Sequence, residues 1–153
     1  MEVERKFLID RLPDDLNRFP SKQLTQGYLC TSPVVRVRRE GEEYFLTYKS
    51  GGLLIREEYN LPLTEESYYH LMSKTDGTVI SKTRRYIPLR NGLTAELDIF
   101  DEPFAPLALV EVEFDSVEDA EAFSAPDWFG KEVTNDPAYH NSTLSQLQPK
   151  KPQ

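Results

Sequence analysis

Charge falls on every second residue in six short stretches of the chain: Glu2-Val-Glu4-Arg-Lys6, Arg36-Val-Arg38, Arg56-Glu-Glu58, Lys82-Thr-Arg84, Glu96-Leu-Asp98 and Glu111-Val-Glu113. Thr47-Tyr-Lys49 repeats the spacing with a single charge. A period of two is that of a strand, whose successive side chains point to opposite faces. The residues between the charges are largely apolar: Val35 and Val37, Leu97 and Ile99, Val110, Val112 and Phe114. An open antiparallel sheet buries its apolar face and wets the charged one. A barrel can invert this, with charges lining the interior and helices covering part of the outside. Such a face, carrying carboxylates and cationic heads together, suits a highly anionic ligand held with metal ions.

Strands are expected near 2–9, 25–31, 34–40, 43–49, 53–61, 78–87, 93–100 and 107–115. Gly41-Glu-Glu, Gly51-Gly52 and Asn91-Gly92 supply hairpin turns. Three helices can serve as cover. Thr64 caps one that carries Tyr68, Leu71, Met72 and Thr75; Ser116 with Asp119 opens a second; Asp136-Pro137 opens a third, leading to Leu144 and Leu147. A helical turn is expected around Leu12–Leu16, and Trp128 and Phe129 read as packing residues beside the strands.

A length of 153 residues favours one domain, spanning 1–147, with 148–153 as a frayed tail. The lone Cys30 fits a reducing, cytoplasmic setting. The acidic, strand-like N-terminus does not read as a signal peptide, and no run is long enough to span a membrane. A net charge of −8 argues against nucleic acid or an anionic membrane as partner. The repeated motifs are themselves balanced, with seven cations (Lys6, Arg36, Arg38, Lys49, Arg56, Lys82, Arg84) and seven acids (Glu2, Glu4, Glu58, Glu96, Asp98, Glu111, Glu113). The excess of acid lies elsewhere, and two divalent ions would bring the motif set to about +4.

Arg presents a rigid fork of donors to phosphoryl oxygens and Lys a compact positive centre. Seven such groups exceed the need of a monophosphate and suit a chain of phosphates. Cross-strand ion pairing, worth roughly 0.2–1 kcal/mol per pair, explains any one motif better than the whole set. Two acids on one strand face, about 7 Å apart, repel unless cations intervene, and Mg²⁺ or Mn²⁺ is the natural hard ion for carboxylate, water and phosphate oxygens. His70 and His140 lie outside the pattern, so a zinc site is not expected. One metal would bridge phosphate oxygens while a second, or a positioned base, orients water for in-line attack. Lys6 and Tyr28, if they meet across neighbouring strands, form a candidate proton-transfer pair.

The opening Glu2-Val-Glu4-Arg-Lys6 resembles the ExExK signature of the CYTH superfamily, the triphosphate tunnel metalloenzymes. The likeness continues through Gln26-Gly-Tyr28, Arg36-Val-Arg38, Thr47-Tyr-Lys49, Lys82-Thr-Arg84, Glu96-Leu-Asp98 and Val110-Glu-Val-Glu-Phe114. Gly130-Lys-Glu-Val-Thr134, Tyr139 and Asn141 look like the short bacterial members. The resemblance implies a mainly β (α+β) fold, an eight-stranded antiparallel closed barrel forming a tunnel with external helices. It implies Mg²⁺ or Mn²⁺ as cofactor and a triphosphate-containing small molecule as partner. By carry-over Glu2, Glu4, Glu111 and Glu113 are the main metal ligands, with Asp98 and Glu96 assisting a second metal or its water. Lys6, Arg36, Arg38, Lys49, Lys82 and Arg84 become phosphate contacts, Arg56 and Glu58 fall on a less diagnostic strand, and Asn60 stands where a further acid is common. Lys6, Tyr28, Arg38, Glu96 and Asp98 form the expected catalytic set. Inorganic tripolyphosphate is the first-choice substrate, because so short a chain leaves little material for an organic recognition pocket. Thiamine triphosphatase, nucleoside triphosphatase, adenylate cyclase and a non-catalytic polyphosphate binder are the alternatives. Apolar strand faces left exposed would suit a homodimer.

Overall fold

The computed structural model describes residues 2–52 and 54–146. The expected tail 148–153 and Leu147 lie outside these residues. Among the described residues ten strands form: β1 (Glu2–Ile9), β2 (Ser21–Thr31), β3 (Val34–Glu40), β4 (Glu43–Lys49), β5 (Ile55–Arg56), β6 (Glu58–Pro62), β7 (Asp76–Pro88), β8 (Thr94–Phe100), β9 (Ala108–Phe114) and β10 (Phe129–Glu132). Their order is β10-β1-β9-β8-β7-β2-β3-β4-β6, all antiparallel, with β5 paired to β1. Turn chemistry fixes two of the hairpins. Gly41 at φ +60° joins β3 to β4, and Asn91 and Gly92, at φ 63° and 73°, join β7 to β8.

The closed eight-stranded barrel expected from the sequence is corrected to a sheet that nearly closes. The predicted strand 53–61 breaks at Glu57: β5 pairs β1 through Glu2↔Arg56 and Val3↔Ile55, while β6 turns to pair β4. The seam is bridged by those two residue pairs, a hydrogen bond from Glu4 N to Leu54 O at 3.3 Å and the Lys49–Glu2 ion pair at 3.1 Å. The packing segment at Trp128-Phe129 supplies a tenth strand, β10, on the far side of β1.

The inversion inferred from the charge pattern is present. Val3, Phe7, Leu97, Val110, Val112 and Phe114 face outward into a core completed by Ala120, Phe123, Trp128 and Phe129. Burial of such side chains stabilises by roughly 1.5–3 kcal/mol each, which makes this outer cluster a main source of the wall's rigidity. Its cover includes α2 (Val117–Ala122), where Ser116 Oγ accepts from Asp119 N. Arg5, at the outward position between Glu4 and Lys6, fastens that cover. It donates to Ala120 O at 2.8 Å and pairs with Glu132 of β10 at 2.7 Å.

On another part of the wall, α1 (Glu65–Met72) starts from Thr64, whose side chain accepts from Ser67 N. The helix end reaches β2 at Gly27, where a Cβ would stand 2.8 Å from Met72 Sδ. The third predicted helix begins as a 3₁₀ turn at Pro137–Tyr139, with Asp136 accepting from Ala138 N, and continues as the single turn α3 (Asn141–Leu144). The helical turn expected around Leu12–Leu16 forms as a 3₁₀ turn at Leu16–Arg18. Among the described residues no helix is long and apolar enough to cross a membrane.

The inward positions are not charged throughout. Leu8, Tyr28, Ile80, Phe100 and Leu109 share the inward parity of the charged residues, and Val133 and Leu144 join them in a second core cluster. One end of the interior is therefore filled with apolar side chains and closed by α3.

Candidate active site

Strand register brings the charged motifs into rows. Across β1, β9 and β8, Glu4 lies opposite Glu113, Lys6 opposite Glu111, and Glu111 opposite Glu96. Glu96 is opposite Tyr86 and Asp98 opposite Arg84 on the β7–β8 ladder. On the other side Gln26 faces Arg38, Tyr28 faces Arg36, and Lys49 faces Glu58. The result is a cavity of about 300 Å³. Six cationic side chains (Lys6, Arg36, Arg38, Lys49, Arg56, Arg84) and seven acids (Glu2, Glu4, Glu40, Glu58, Glu96, Glu111, Glu113) line it.

The arginines gather on the β2–β3–β7 side. Arg38 Nε donates to Gln26 Oε1 at 2.8 Å, and Gln26 Nε2 donates to the Tyr28 hydroxyl at 3.0 Å. Burial, then repulsion from Arg36 and Arg84, pulls the Arg38 guanidinium down to about 10. Arg36 is 5% exposed, and its Nε is buried with no hydrogen-bond partner. An unpaired buried donor on a cation costs free energy that a bound anion recovers. Replacing Arg38 with Ala is therefore expected to weaken tripolyphosphate binding by roughly 10–100-fold, and orthophosphate binding by much less. Calorimetric titration of both ligands checks this, and equal losses for the two would count against a site built for a phosphate chain.

The carboxylates gather around β1, β5, β6 and β9. Burial and the hydrogen bond that protonated Glu2 donates to Glu58 raise Glu2 to about 9. Burial would also raise Glu58, but the contact with Glu2, the Lys49 charge and the Asn60 amide outweigh it and bring Glu58 to about 2. The pair holds one proton between two acids and titrates as a unit. Burial and the Glu111 charge lift Glu4 to about 7. Burial acts the same way on Glu111, yet Lys6, Arg84 and Lys82 override it and hold that carboxylate well below the usual range. Lys6 Nζ lies 3.3 Å from Glu111 and donates to Tyr139 O at 3.1 Å; Lys49 Nζ lies 3.1 Å from Glu2. Asn60, in place of a further acid, accepts from Thr47 Oγ1 at 2.6 Å and donates to Glu58 at 2.9 Å.

Among the described residues no three His, Cys, Asp or Glu side chains stand in a ready-made metal-holding group. The donor chemistry nonetheless fits a hard divalent ion. Burial, with neighbouring acids adding to it, keeps Glu2 protonated and Glu4 about half-protonated at neutral pH, and a cation would neutralise these carboxylates as a proton does.

The structure separates the expected site residues into two groups. Glu2, Glu4, Lys6, Tyr28, Arg36, Arg38, Lys49, Arg56, Glu58, Arg84, Glu96, Glu111 and Glu113 line one cavity. Lys82 and Asp98 lie behind its wall, 0% and 1% exposed, joined at 2.7 Å. Lys6 and Tyr28 do not sit on neighbouring strands: β9, β8 and β7 stand between β1 and β2, and the two side chains line the cavity from separate walls. Glu40, Tyr86, His140, Asn141 and Ser142 also line it. Glu40 and Tyr86 continue the alternation of Arg36-Arg38 and Lys82-Arg84 by one step, so the period itself could have found them. His140 lies in no strand; burial, then the charges of Lys6 and Arg56, lowers it to about 4 and keeps the imidazole neutral.

The interior of this nearly closed sheet, which sets the partnerless Arg36 Nε and further guanidinium groups against crowded carboxylates, suits a polyanion bound together with cations. The chain belongs to the CYTH domain family, whose profile matches residues 1–146. An inorganic triphosphatase of Nitrosomonas europaea is 45% identical over 148 residues, covering 94% of this chain and 96% of that protein. Another, from Acetivibrio thermocellus, is 33% identical over 152 residues, covering 94% and 92%. The crystal structure of an inorganic triphosphatase superposes with a TM-score of 0.74 at 40% identity, covering 98% of this chain and 97% of that one. A Pyrococcus horikoshii protein shares the fold, with a TM-score of 0.52 at 21% identity over 79% of this chain and 81% of its own.

Proposed function

We propose that this chain is a divalent-metal-dependent triphosphatase that hydrolyses inorganic tripolyphosphate to pyrophosphate and orthophosphate. The observation that carries the reading is a single cavity of about 300 Å³ in which six cations and seven acids converge. The relatives named inorganic triphosphatase, which align over nearly the whole chain, support it. Arg36, Arg38, Arg84, Lys6, Lys49 and Arg56 bind and orient the phosphate chain. Glu2, Glu4, Glu111 and Glu113 hold Mg²⁺ or Mn²⁺, which supplies charge neutralisation and Lewis acidity when bound. Glu96, raised above the usual carboxylate range by burial and 3.0 Å from Arg84, accepts the proton of the attacking water. The new bond forms from water oxygen to the terminal phosphorus, the anhydride bond breaks, and pyrophosphate leaves. The arginines stabilise charge on the equatorial oxygens, and the Tyr28 hydroxyl, held by Gln26, hydrogen-bonds to the phosphate chain.

Phosphorus NMR of separate incubations with tripolyphosphate, ATP and thiamine triphosphate, each with Mg²⁺ and Mn²⁺, tests the reading. Pyrophosphate plus orthophosphate from tripolyphosphate, at the highest kcat/KM of the three, is expected. Cyclic nucleotide from ATP, or tight binding without turnover, overturns it.

A pH dependence follows for the metal-free protein. Glu4 and Glu2 have folded pKa values of about 7 and about 9, above the ordinary 4.5. The folded state thus binds protons that the unfolded chain has released. The stability this contributes is complete below the unfolded value and is lost as pH rises through 7 and then 9. Urea unfolding in chelator is expected to show stability falling from pH 6 to 8, above which Lys82, lowered by burial to about 7, offsets what Glu2 still loses; added Mg²⁺ offsets the fall. Stability that is flat or rising in chelator between pH 6 and 8 would contradict the proton-holding acid pairs.

A further inference from the structure

The lining of the cavity changes character with depth. Lys6, Arg36, Arg38 and Arg84 are its buried cations, 5–9% exposed. Toward the open end, Arg36 and Arg38 give way to Glu40 on β3, Arg84 to Tyr86 on β7, and Glu111 to the exposed Glu113 on β9. Glu40 lies opposite Glu43 at the end of the β3–β4 ladder, where the inward row of Arg38 and Phe45 continues outward. Burial raises the Tyr86 hydroxyl against the pull of Arg84, and the charges of Glu96 and Glu40 both add to the rise, so acids of β8 and β3 converge on it. The opposite end offers a phosphate chain no exit: Leu8, Tyr28, Ile80, Phe100 and Leu109 fill it beneath α3. A chain held by the buried cations can therefore lengthen only toward this acidic rim. Glu113 belongs to the cation-holding acids and Glu96 to the attacking water, whereas Glu40 has neither part. Its Oε1 stands 3.3 Å from Arg38 Nη1, and its side chain is 26% exposed.

We propose that Glu40 is a specificity-determining residue: its carboxylate at the rim, the next inward position beyond Arg38, repels a fourth phosphate and so sets an upper limit on chain length. The inference deepens the triphosphatase reading of this cavity and rests on it. A divalent ion neutralises the acids that hold it and leaves Glu40 charged. Tripolyphosphate ends on the buried cations, while the extra phosphoryl group of tetrapolyphosphate brings further negative charge against Glu40. Like charges repel most at short range and low salt, and discrimination then comes from repulsion of the wrong ligand. The nucleoside of ATP is uncharged where it would meet the rim, so Glu40 acts on chain length and not on nucleotides.

The test measures initial rates with tripolyphosphate, tetrapolyphosphate and ATP, each with Mg²⁺, for wild type, Glu40→Gln and Glu40→Lys, with thermal unfolding as a check on folding. Wild type is expected to favour tripolyphosphate over tetrapolyphosphate by about tenfold or more in kcat/KM. Glu40→Gln is expected to raise kcat/KM for tetrapolyphosphate about tenfold, with tripolyphosphate and ATP within about threefold of wild type, and Glu40→Lys to raise it further. Added salt should narrow the wild-type preference and change that of Glu40→Gln much less. The salt dependence of wild type needs no variant, so it decides the matter if the variants fail to fold. Wild type that hydrolyses tetrapolyphosphate as readily as tripolyphosphate overturns the proposal. A loss in Glu40→Gln shared by both chains also overturns it and makes Glu40 a support for Arg38 through their ion pair. A gain shared by tetrapolyphosphate and ATP overturns it as well, being the mark of a wider mouth. Wild type that does not turn over tripolyphosphate refutes the functional reading instead, and calorimetric Kd values of the two chains for wild type and Glu40→Gln then decide the rim separately.

Discussion

Glu111→Gln is expected to lower kcat/KM for tripolyphosphate by about 10²–10³-fold, the size associated with removing one preorganised electrostatic element from a buried site. Glu111 sits at the crossing of three rows: opposite Lys6 on β1, opposite Glu96 on β8, and against the Glu4 carboxyl. Its charge is secured by Lys6, Arg84 and Lys82 against the opposing effect of burial. Like Glu58, it thus stays ionised while Glu2 and Glu4 beside them hold protons. Glutamine has the same shape and keeps the wall intact, and Lys6 retains Tyr139 O as a hydrogen-bond acceptor. The loss should appear as a shift of the Mg²⁺ activation curve to higher concentration, with thermal unfolding little changed. An unaltered Mg²⁺ curve would remove Glu111 from the cation-holding group.

Asp98→Ala is expected to cost about 3–5 kcal/mol of unfolding free energy, the range for breaking a buried charge pair from one side. Asp98 accepts from Arg84 with both oxygens and pairs with Lys82 through Oδ2, and it is 1% exposed. Burial alone would raise its pKa, but Arg84 and Lys82 hold it below the usual value. Removing it leaves two cations buried together. Replacing Lys82 and Asp98 together by Met and Leu removes one of the two stranded cations, leaving Arg84 with Glu96 alone, and should recover part of the loss. Urea unfolding of both variants is the check. A cost under about 1 kcal/mol for Asp98→Ala, typical of exposed pairs, would contradict the burial of this unit.

The inverted wall could be read from the sequence because a period of two is a local property. Arg36-Val-Arg38 and Glu111-Val-Glu113 each state which residues share a face, and pairing register only has to bring those faces together. Depth along the interior is not local. Lys82 and Arg84 have the same parity, and so do Phe100 and Asp98, but strand stagger and the apolar filling at one end place Arg84 at the cavity and Lys82 behind it. The seam was equally hidden. A continuous pattern over 53–61 carries no signal that Glu57 leaves the ladder and that β5 and β6 pair with different strands. His140, Asn141 and Ser142 reach the cavity from a turn and a single helical turn, where no periodicity marks them.

The most direct test is a crystal grown with tripolyphosphate and Mn²⁺, using anomalous scattering to locate the metal. The expected result is Mn²⁺ against Glu2, Glu4, Glu111 or Glu113, with the phosphorus atoms running along Arg36, Arg38 and Arg84 in the same cavity. Metal and phosphate on separate outer surfaces, with the interior carboxylates still sharing protons, would contradict it.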